Sequence, residues 1–131
     1  MKPLNEVDWG VLGVPKMPEW LEGMASHDFD TREEAYNAFY DSGIPNLHKA
    51  TPHVIPFVIE FLASEDMPEQ DSLLQLLIVL ASEAKAYSDH PKLEALAKAV
   101  LAEIGHGKAV FEVYTAVDDS KELASELLSY I

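Results

Sequence analysis

The sequence predicts an all-α fold, a short α-solenoid of about three helical hairpins with six to seven helices in all. An internal repeat is the main observation: residues 21–28 (LEGMASHD) are followed 38 positions later by the similar residues 59–66 (IEFLASED). Each copy leads into a polar hinge and then into a second apolar run, residues 35–39 and 73–77. Units of helix, turn and helix cannot bury their apolar faces alone, so they stack. We therefore expect a fold that offers binding surfaces.

The chain of 131 residues is long enough for one domain. We divide this domain into an irregular amino-terminal cap over residues 1–16, the two best-defined repeats over residues 17–86, and a third, degenerate repeat over residues 87–131. The cap carries Trp9 between glycine and proline residues. Because the ends of a solenoid need covering, we expect this segment to form a lid over the first pair of helices.

The first repeat carries start and stop signals for two helices. A proline is favoured at the first position of a helix, so a first helix is expected to begin near Pro18. Thr31 and Glu34 have the spacing of a capping box, which predicts that a second helix begins at Arg32. This helix should end near Gly43, because glycine readily adopts the left-handed conformation that terminates helices.

The second repeat contains the most apolar helices of the chain. Thr51 and Pro52 open a third helix as a cap followed by a proline, and its nearly continuous apolar surface predicts that it is buried. Pro56 lies about one turn into this helix and should bend the helix without ending it. A fourth helix is expected from about Glu69 to Ala86.

The carboxyl-terminal third is less regular. A fifth helix is expected from Lys92 to Ile104, where apolar residues recur at helical spacing. Residues 109–117 contain several β-branched and aromatic side chains that also suit a strand. We predict a helix there, because a lone strand would have no partner. Asp119 and Glu122 are interpreted as a cap pair that opens a short final helix.

The balance of charge is strongly acidic. The chain has 9 Lys and Arg against 23 Asp and Glu, a formal net charge of -14, and Arg32 is its only arginine. A nucleic-acid-binding protein needs a basic patch or stripe, whereas these basic residues are scattered singly, so we expect no nucleic-acid partner. An acidic field attracts basic proteins and speeds their capture. The alternative is that the acidity only keeps the domain soluble.

Other features of composition indicate a cytoplasmic protein. The sequence contains no cysteine, so it can form neither disulfides nor thiolate zinc sites. Residues 1–12 carry acidic and amide side chains where a signal peptide would need an apolar stretch. No apolar run approaches the length of about 18 residues that a membrane span requires, so no membrane association is expected.

The sequence carries no convincing catalytic motif. Glu103 and His106 have the spacing of a carboxylate-bridged metal site, but the motif occurs once and Gly105 should end the helix that carries it. His27, Asp28 and Asp30 could form a carboxylate and imidazole cluster, although acidic groups at a helix start more often act as caps. We therefore expect neither an enzyme, nor a metal site, nor a cofactor.

A resemblance to a known family rests mainly on residues 48–57, with the pattern HxATPxVIPF, preceded by Trp9 and Pro18. These motifs resemble bacterial HEAT-repeat proteins, a branch of the armadillo-like α-solenoids, over residues 8–86. The resemblance implies a protein-binding or scaffold module. Some small acidic members of the family look like immunity proteins, antitoxins encoded beside antibacterial toxins, and such toxins are frequently basic nucleases.

The leading hypothesis is a non-catalytic module whose acidic concave surface binds and neutralises a basic protein, most specifically a cognate toxin. The alternative is a general scaffold or regulatory subunit with no toxin partner. A third hypothesis, an enzyme of the DNA glycosylase kind found on HEAT-like folds, would require a basic groove. The predicted partner-binding residues belong to the first repeat and to the second hinge: Asp28, Asp30, Glu34, Asn37, Tyr40, Asp41, Glu65, Asp66, Glu69 and Asp71. Both repeats end in acidic hinges, which should lie on one edge of the stack.

Overall fold

A computed structural model describes residues 4–64 and 67–131 and confirms an all-α fold. In these two ranges the chain forms seven α-helices and no strand, and 3₁₀ turns cover Leu4–Glu6 and Ile44–Asn46. The helices are α1 (Met17–Met24), α2 (Phe29–Asp41), α3 (Thr51–Ala63), α4 (Gln70–Ala86), α5 (Glu94–Gly105), α6 (Lys108–Tyr114) and α7 (Lys121–Leu128). Over the same ranges, none of the helices combines the length and the apolar character needed to cross a membrane.

The first two helices form one pair, and most of the later helices pack around α4. α1 pairs with α2 and α3 pairs with α4, while α5 lies against both α3 and α4. α6 and α7 pack together, and α7 also contacts α4. α4 therefore lies at the centre, and eight of its side chains are buried: Leu73, Leu74, Leu76, Leu77, Ile78, Leu80, Ala81 and Ala84. The apolar run that the repeat predicted here forms the middle of the core.

The start of α2 differs from the sequence-based prediction. The helix begins at Phe29, and Asp28 is its N-cap, with an extended backbone and a side chain that accepts hydrogen bonds from the amide and the hydroxyl of Thr31, at 2.9 and 2.6 Å. The predicted capping box at Thr31 and Glu34 is therefore wrong. A carboxylate is at least as good a cap as a threonine hydroxyl, and the backbone carbonyl of Asp28 already accepts from the amide of Arg32.

The connector after α2 is fastened to α3 by Thr51. α2 ends at Asp41. Gly43, two residues later, has φ of 89°, the left-handed conformation that was expected of it. α3 begins at Thr51, one residue before the predicted start, with Ala50 at the N-cap position, and continues through Pro56. The fully buried Thr51 hydroxyl, however, does not cap the helix. It donates to the carbonyl of Ile44 at 2.8 Å and accepts from the amide of His48 at 2.9 Å, so it holds the connector in place.

The amino-terminal segment is anchored by Trp9, which is only 4% exposed. Its ring lies 6.0 Å from the ring of Phe57 on α3, and its indole nitrogen donates to the carbonyl of Leu4 at 2.9 Å. The expected lid over the first helix pair thus has its aromatic anchor on the second repeat. The physical reason is that α3 is apolar around most of its circumference and leaves Phe57 available on the side that the segment covers.

The third part of the chain is helical where the sequence was ambiguous. α6 covers Lys108–Tyr114, which confirms a helix over most of residues 109–117, and a turn follows it. The hydroxyl of Tyr114 donates to the carbonyl of Leu62, in the last turn of α3, where helix carbonyls lack partners within the helix. This bond joins the end of α3 to α6.

The predicted cap pair of Asp119 and Glu122 is wrong. α7 begins at Lys121, and Ser120 occupies its N-cap position. The hydroxyl of Ser120 donates to the carboxylate of Asp71 on α4, so this residue connects two helices instead of capping its own. The contact between α7 and α4 determines which partner the Ser120 hydroxyl binds. A local sequence pattern does not reveal such a tertiary contact.

Gly107 should be hard to replace, whereas Gly105 should not. A Cβ at Gly107 would lie 2.5 Å from Cζ of Phe111 and 2.9 Å from Cδ1 of Ile59, but at Gly105 the nearest such atom is 3.9 Å away. We expect Gly107→Ala to lower the free energy of unfolding by about 1–3 kcal/mol through overpacking. Gly105→Ala should leave it unchanged or raise it by up to about 1 kcal/mol, because alanine favours helix. Urea denaturation of both variants tests this, and the reverse order of stability would contradict it.

Candidate functional site

The principal candidate site is an open groove between α2 and α4, here called the α2–α4 groove, with a volume of ≈ 530 Å³. One face of α2 forms one wall, because residues three or four positions apart share a face of a helix. The hinge before α4 and the first turns of that helix form the other wall. The lining side chains are Glu33, Tyr36, Asn37 and Tyr40 from α2, and Glu69, Asp71, Ser72 and Gln75 from the second wall.

Arg32 joins the two hinges beside the groove. Its Nη1 donates to the backbone carbonyl of Ser26 at 3.0 Å, and its Nη2 donates to Oε1 of Glu69 at 2.9 Å. The hydrogen bond from Arg32 is the main cause of the lowered pKa of Glu69. The hydroxyl of Ser72 also donates to this carboxylate, at 3.3 Å. The backbone of Ser26 and the side chain of Glu69 therefore lie close together, with the Arg32 cation between them.

The burial of Arg32 was not predicted. The residue is only 8% exposed, and its guanidinium carbon lies 5.7 Å from the centroid of the ring of Phe29, close enough for a cation–π contact. The ring of Phe29 remains 58% exposed at the start of α2. Among the described residues, no hydrogen-bond partner reaches Nε of Arg32.

Tyr36 lines the groove, while its hydroxyl is buried and out of reach of water. The residue is 8% exposed, and no hydrogen bond to its hydroxyl is made within the described ranges. Burial, and after it the charge of Glu69, raises the pKa of Tyr36, so the phenol stays neutral at physiological pH. Leaving such a group unpaired costs about 1–3 kcal/mol. The neighbouring Tyr40 is 40% exposed, and its ring packs edge-on against Phe39 at 6.0 Å.

Four of the ten predicted binding residues meet in this groove: Asn37, Tyr40, Glu69 and Asp71. Sequence reasoning missed the other four lining residues: Glu33, Tyr36, Ser72 and Gln75. Helical spacing contained the signal for two of them, because positions 33 and 36 lie on the same face of α2 as positions 37 and 40. Ser72 and Gln75 could have been found in the same way, from the spacing of three that separates them from Glu69 and from each other.

The remaining predicted residues lie elsewhere. Asp28 is the exposed cap of α2, and Asp30 and Asp41 are exposed outside the groove lining. Glu34 lines a separate depression on the side of α2 that faces α1. Glu65 and Asp66 lie outside the described residues.

A second depression, of ≈ 430 Å³, lies between the amino-terminal segment, α3 and α5. His53, Glu103 and His106 contribute to its lining, and Nδ1 of His106 lies 3.5 Å from Oε2 of Glu103. α5 ends at Gly105, as expected, so His106 follows the helix. Over the described ranges, no three or more His, Cys, Asp or Glu side chains are grouped so that they could hold a metal ion.

The chemistry of the α2–α4 groove favours positively charged ligands. Its lining presents carboxylate, amide and hydroxyl oxygens, which accept hydrogen bonds, and the bonds from cationic donors to carboxylates are the stronger kind. The partly exposed ring of Tyr40 adds a surface against which a cation can lie. Comparisons with known protein families, with characterised proteins and with solved structures found no match to this chain.

Proposed function

We propose that this protein is a non-catalytic protein-binding module that captures a basic partner protein in the α2–α4 groove. The observation that carries the proposal is the groove itself, where three carboxylates and two tyrosines face one open channel. The surrounding chain is acidic as a whole, with a formal net charge of -14. Tyrosine is among the residues most often found at the energetic centre of protein interfaces.

Charge and aromatic contact would act at different stages of binding. The acidic field would steer a basic partner toward the groove and raise the association rate, an effect that salt suppresses. Tyr40 and the exposed ring of Phe29 lie on the same face of α2 and would provide apolar contact once the partner is seated. Dissociation would then depend on these rings, and association would depend on the carboxylates.

The partner we favour is a cognate toxin in the same cytoplasm, because the sequence resembles HEAT-repeat proteins and small acidic members of that family look like immunity proteins. A cysteine-free domain suits such a compartment, since it needs no disulfide. The alternative is a scaffold or regulatory subunit that binds several proteins. One stoichiometric basic partner supports neutralisation, and several unrelated partners support the scaffold.

Site-specific crosslinking tests the proposal. We expect p-benzoylphenylalanine in place of Asn37, which is exposed in the groove, to capture a protein with more Lys and Arg than Asp and Glu in the native host. The same group in place of Ala99, which is exposed on α5, should capture little of that protein. Equal capture from both positions, or an acidic partner at position 37, would contradict the proposal.

The captured partner then allows a kinetic measurement. We expect its association rate to fall by about tenfold or more between roughly 0.05 and 0.5 M salt, because screening shortens the reach of the acidic field. Glu33→Gln should slow association more than Glu126→Gln, a change of equal charge on α7. An association rate that changes neither with salt concentration nor in the Glu33→Gln variant would count against electrostatic capture.

A further inference from the structure

Helix α6 carries apolar side chains on its outer side as well as on its inner side. Phe111 and Tyr114 are buried in the core, whereas Val113 is 66% exposed. Ala109, one turn before Val113, and Ala116, in the turn after the helix, are also exposed. Ala109, Val113 and Ala116 are here called the α6 outer face. A helix that is apolar around most of its circumference is normally covered on both sides, so this face indicates a surface that lacks its partner.

An open groove of ≈ 430 Å³ between the end of α3 and α6 widens this face. Most of the lining is apolar, and it consists of Leu62, Ala63, Ser64, Gln70, Ala109, Val110, Val113 and Tyr114. The terminal unit of a helical stack needs a polar outer surface to stay soluble. α7 meets this need with the exposed Lys121, Glu122 and Glu126, whereas the α6 outer face does not. Another helix would therefore pack on α6.

The charges beside the α6 outer face define the helix that fits it. Lys108 and Glu112 lie one turn apart, both are exposed, and neither forms an ion pair among the described residues. A partner helix should therefore present an acidic group to Lys108 and a basic group to Glu112. Close packing also requires a large side chain opposite Ala109 and a small one opposite Val113.

A second copy of α6 that runs antiparallel meets both requirements. Lys108 and Glu112 are centred on position 110, and Ala109 and Val113 are centred on position 111, only about 1.5 Å further along the helix. One two-fold axis at this level sets Lys108 of each copy beside Glu112 of the other and Ala109 opposite Val113. Each contact then occurs twice, as in other two-fold dimers. A parallel pair would instead bring like charges together.

We propose that two copies of this chain associate through their α6 outer faces, packed antiparallel, with Lys108 of each copy paired to Glu112 of the other. The dimer is weak, because α6 is only about 10 Å long and covers less than the roughly 800 Å² per partner of a standard interface. The net charge of -14 opposes association at long range. Salt screens that repulsion, whereas exposed ion pairs contribute little. Dimerisation should therefore strengthen with salt, opposite to the capture of a basic partner.

Analytical ultracentrifugation of the full chain tests the dimer. We expect a monomer–dimer equilibrium whose Kd falls by about tenfold or more between roughly 0.05 and 0.5 M salt. Val113→Ser should raise the Kd by about tenfold or more, because the apolar contact is lost in both copies. Val11→Ser, at a valine that is 71% exposed on the amino-terminal segment, should leave it unchanged. Both variants should unfold like the native chain in dilute samples, since both side chains are exposed.

Exchange of charges tests the antiparallel pairing. Glu112→Lys should weaken the dimer, although it lowers the overall repulsion between the chains, because it places like charges beside each other. Lys108→Glu should weaken the dimer for the same local reason. A mixture of the two variants should associate more tightly than either variant alone, since each then carries the charges that the other needs. The chain with both substitutions should dimerise about as well as the native chain.

Three results would overturn the inference: a chain that stays monomeric at both salt concentrations, a Val113→Ser variant that dimerises normally, or a mixture that associates no more tightly than its two components. The inference goes beyond the proposed function and can fail separately from it. A monomeric chain would leave the capture of a basic partner at position 37 standing. A dimer that captures no basic protein would overturn the proposed function alone.

Discussion

Replacing Phe111 with alanine is expected to lower the free energy of unfolding by about 3–5 kcal/mol. Phe111 is fully buried in α6, a helix of seven residues that packs against α3 and α7. Removing its ring deletes the largest apolar contact of this helix and leaves a cavity. Since domains are stable by about 5–15 kcal/mol, the loss would be a large fraction of the total. Urea denaturation followed by circular dichroism measures it.

Two variants serve as controls for Phe111→Ala. Val113→Ala changes a side chain of the same helix that is 66% exposed, and it should alter stability by less than about 0.5 kcal/mol. Gly107→Ala should cost less in the Phe111→Ala background than in the native chain, because its methyl group would enter the space that the ring vacates. Strict additivity of the two substitutions would contradict the close approach of Gly107 to Phe111.

Replacing Thr51 with valine is expected to lower the free energy of unfolding by about 2–3 kcal/mol. Valine has nearly the same shape, so little cavity forms, but the hydroxyl that serves both Ile44 and His48 is lost. The buried carbonyl of Ile44 and the partly buried amide of His48 would then lack partners. Chemical denaturation gives the stability, and hydrogen exchange should show faster exchange of the His48 amide.

Thr115→Val is the matched control for Thr51→Val. The hydroxyl of Thr115 is exposed and donates only to the carbonyl of Glu112, which water can replace as a partner. This change should cost less than about 0.5 kcal/mol. Equal losses for the two valine variants would mean that the bonds from Thr51 do not hold the connector.

Most of the helices could be predicted from the sequence, because apolar residues recur at helical spacing and glycine or proline marks many of the ends. The errors concern side chains with more than one available partner. Asp28 and Thr31 both suit an N-cap, and Asp28 takes that position. Thr51 also resembles a cap, but its hydroxyl bonds to the connector instead. A local sequence pattern shows which roles each of these side chains can take. It does not show which role the tertiary contacts favour.

Half of the groove could be anticipated in the same way. Asn37 and Tyr40 were identified from the polar side of the second helix, and they do line the α2–α4 groove. Glu34 and Asp41 each follow a groove residue by one position, which turns the side chain about 100° around the helix and away from the groove. The role of Arg32 could not be foreseen, because its bond to Glu69 depends on how one hairpin stacks on the next.

The position of Trp9 gives this protein an internal optical reporter. Trp9 lies buried against Phe57, whereas the second tryptophan, Trp20, is partly exposed on α1. Indole fluorescence depends on contact with water, so the two residues differ in emission. A blue-shifted component therefore reports whether the amino-terminal segment is seated on α3, separately from the state of the first hairpin. Release of that segment can consequently be followed in an unlabelled sample.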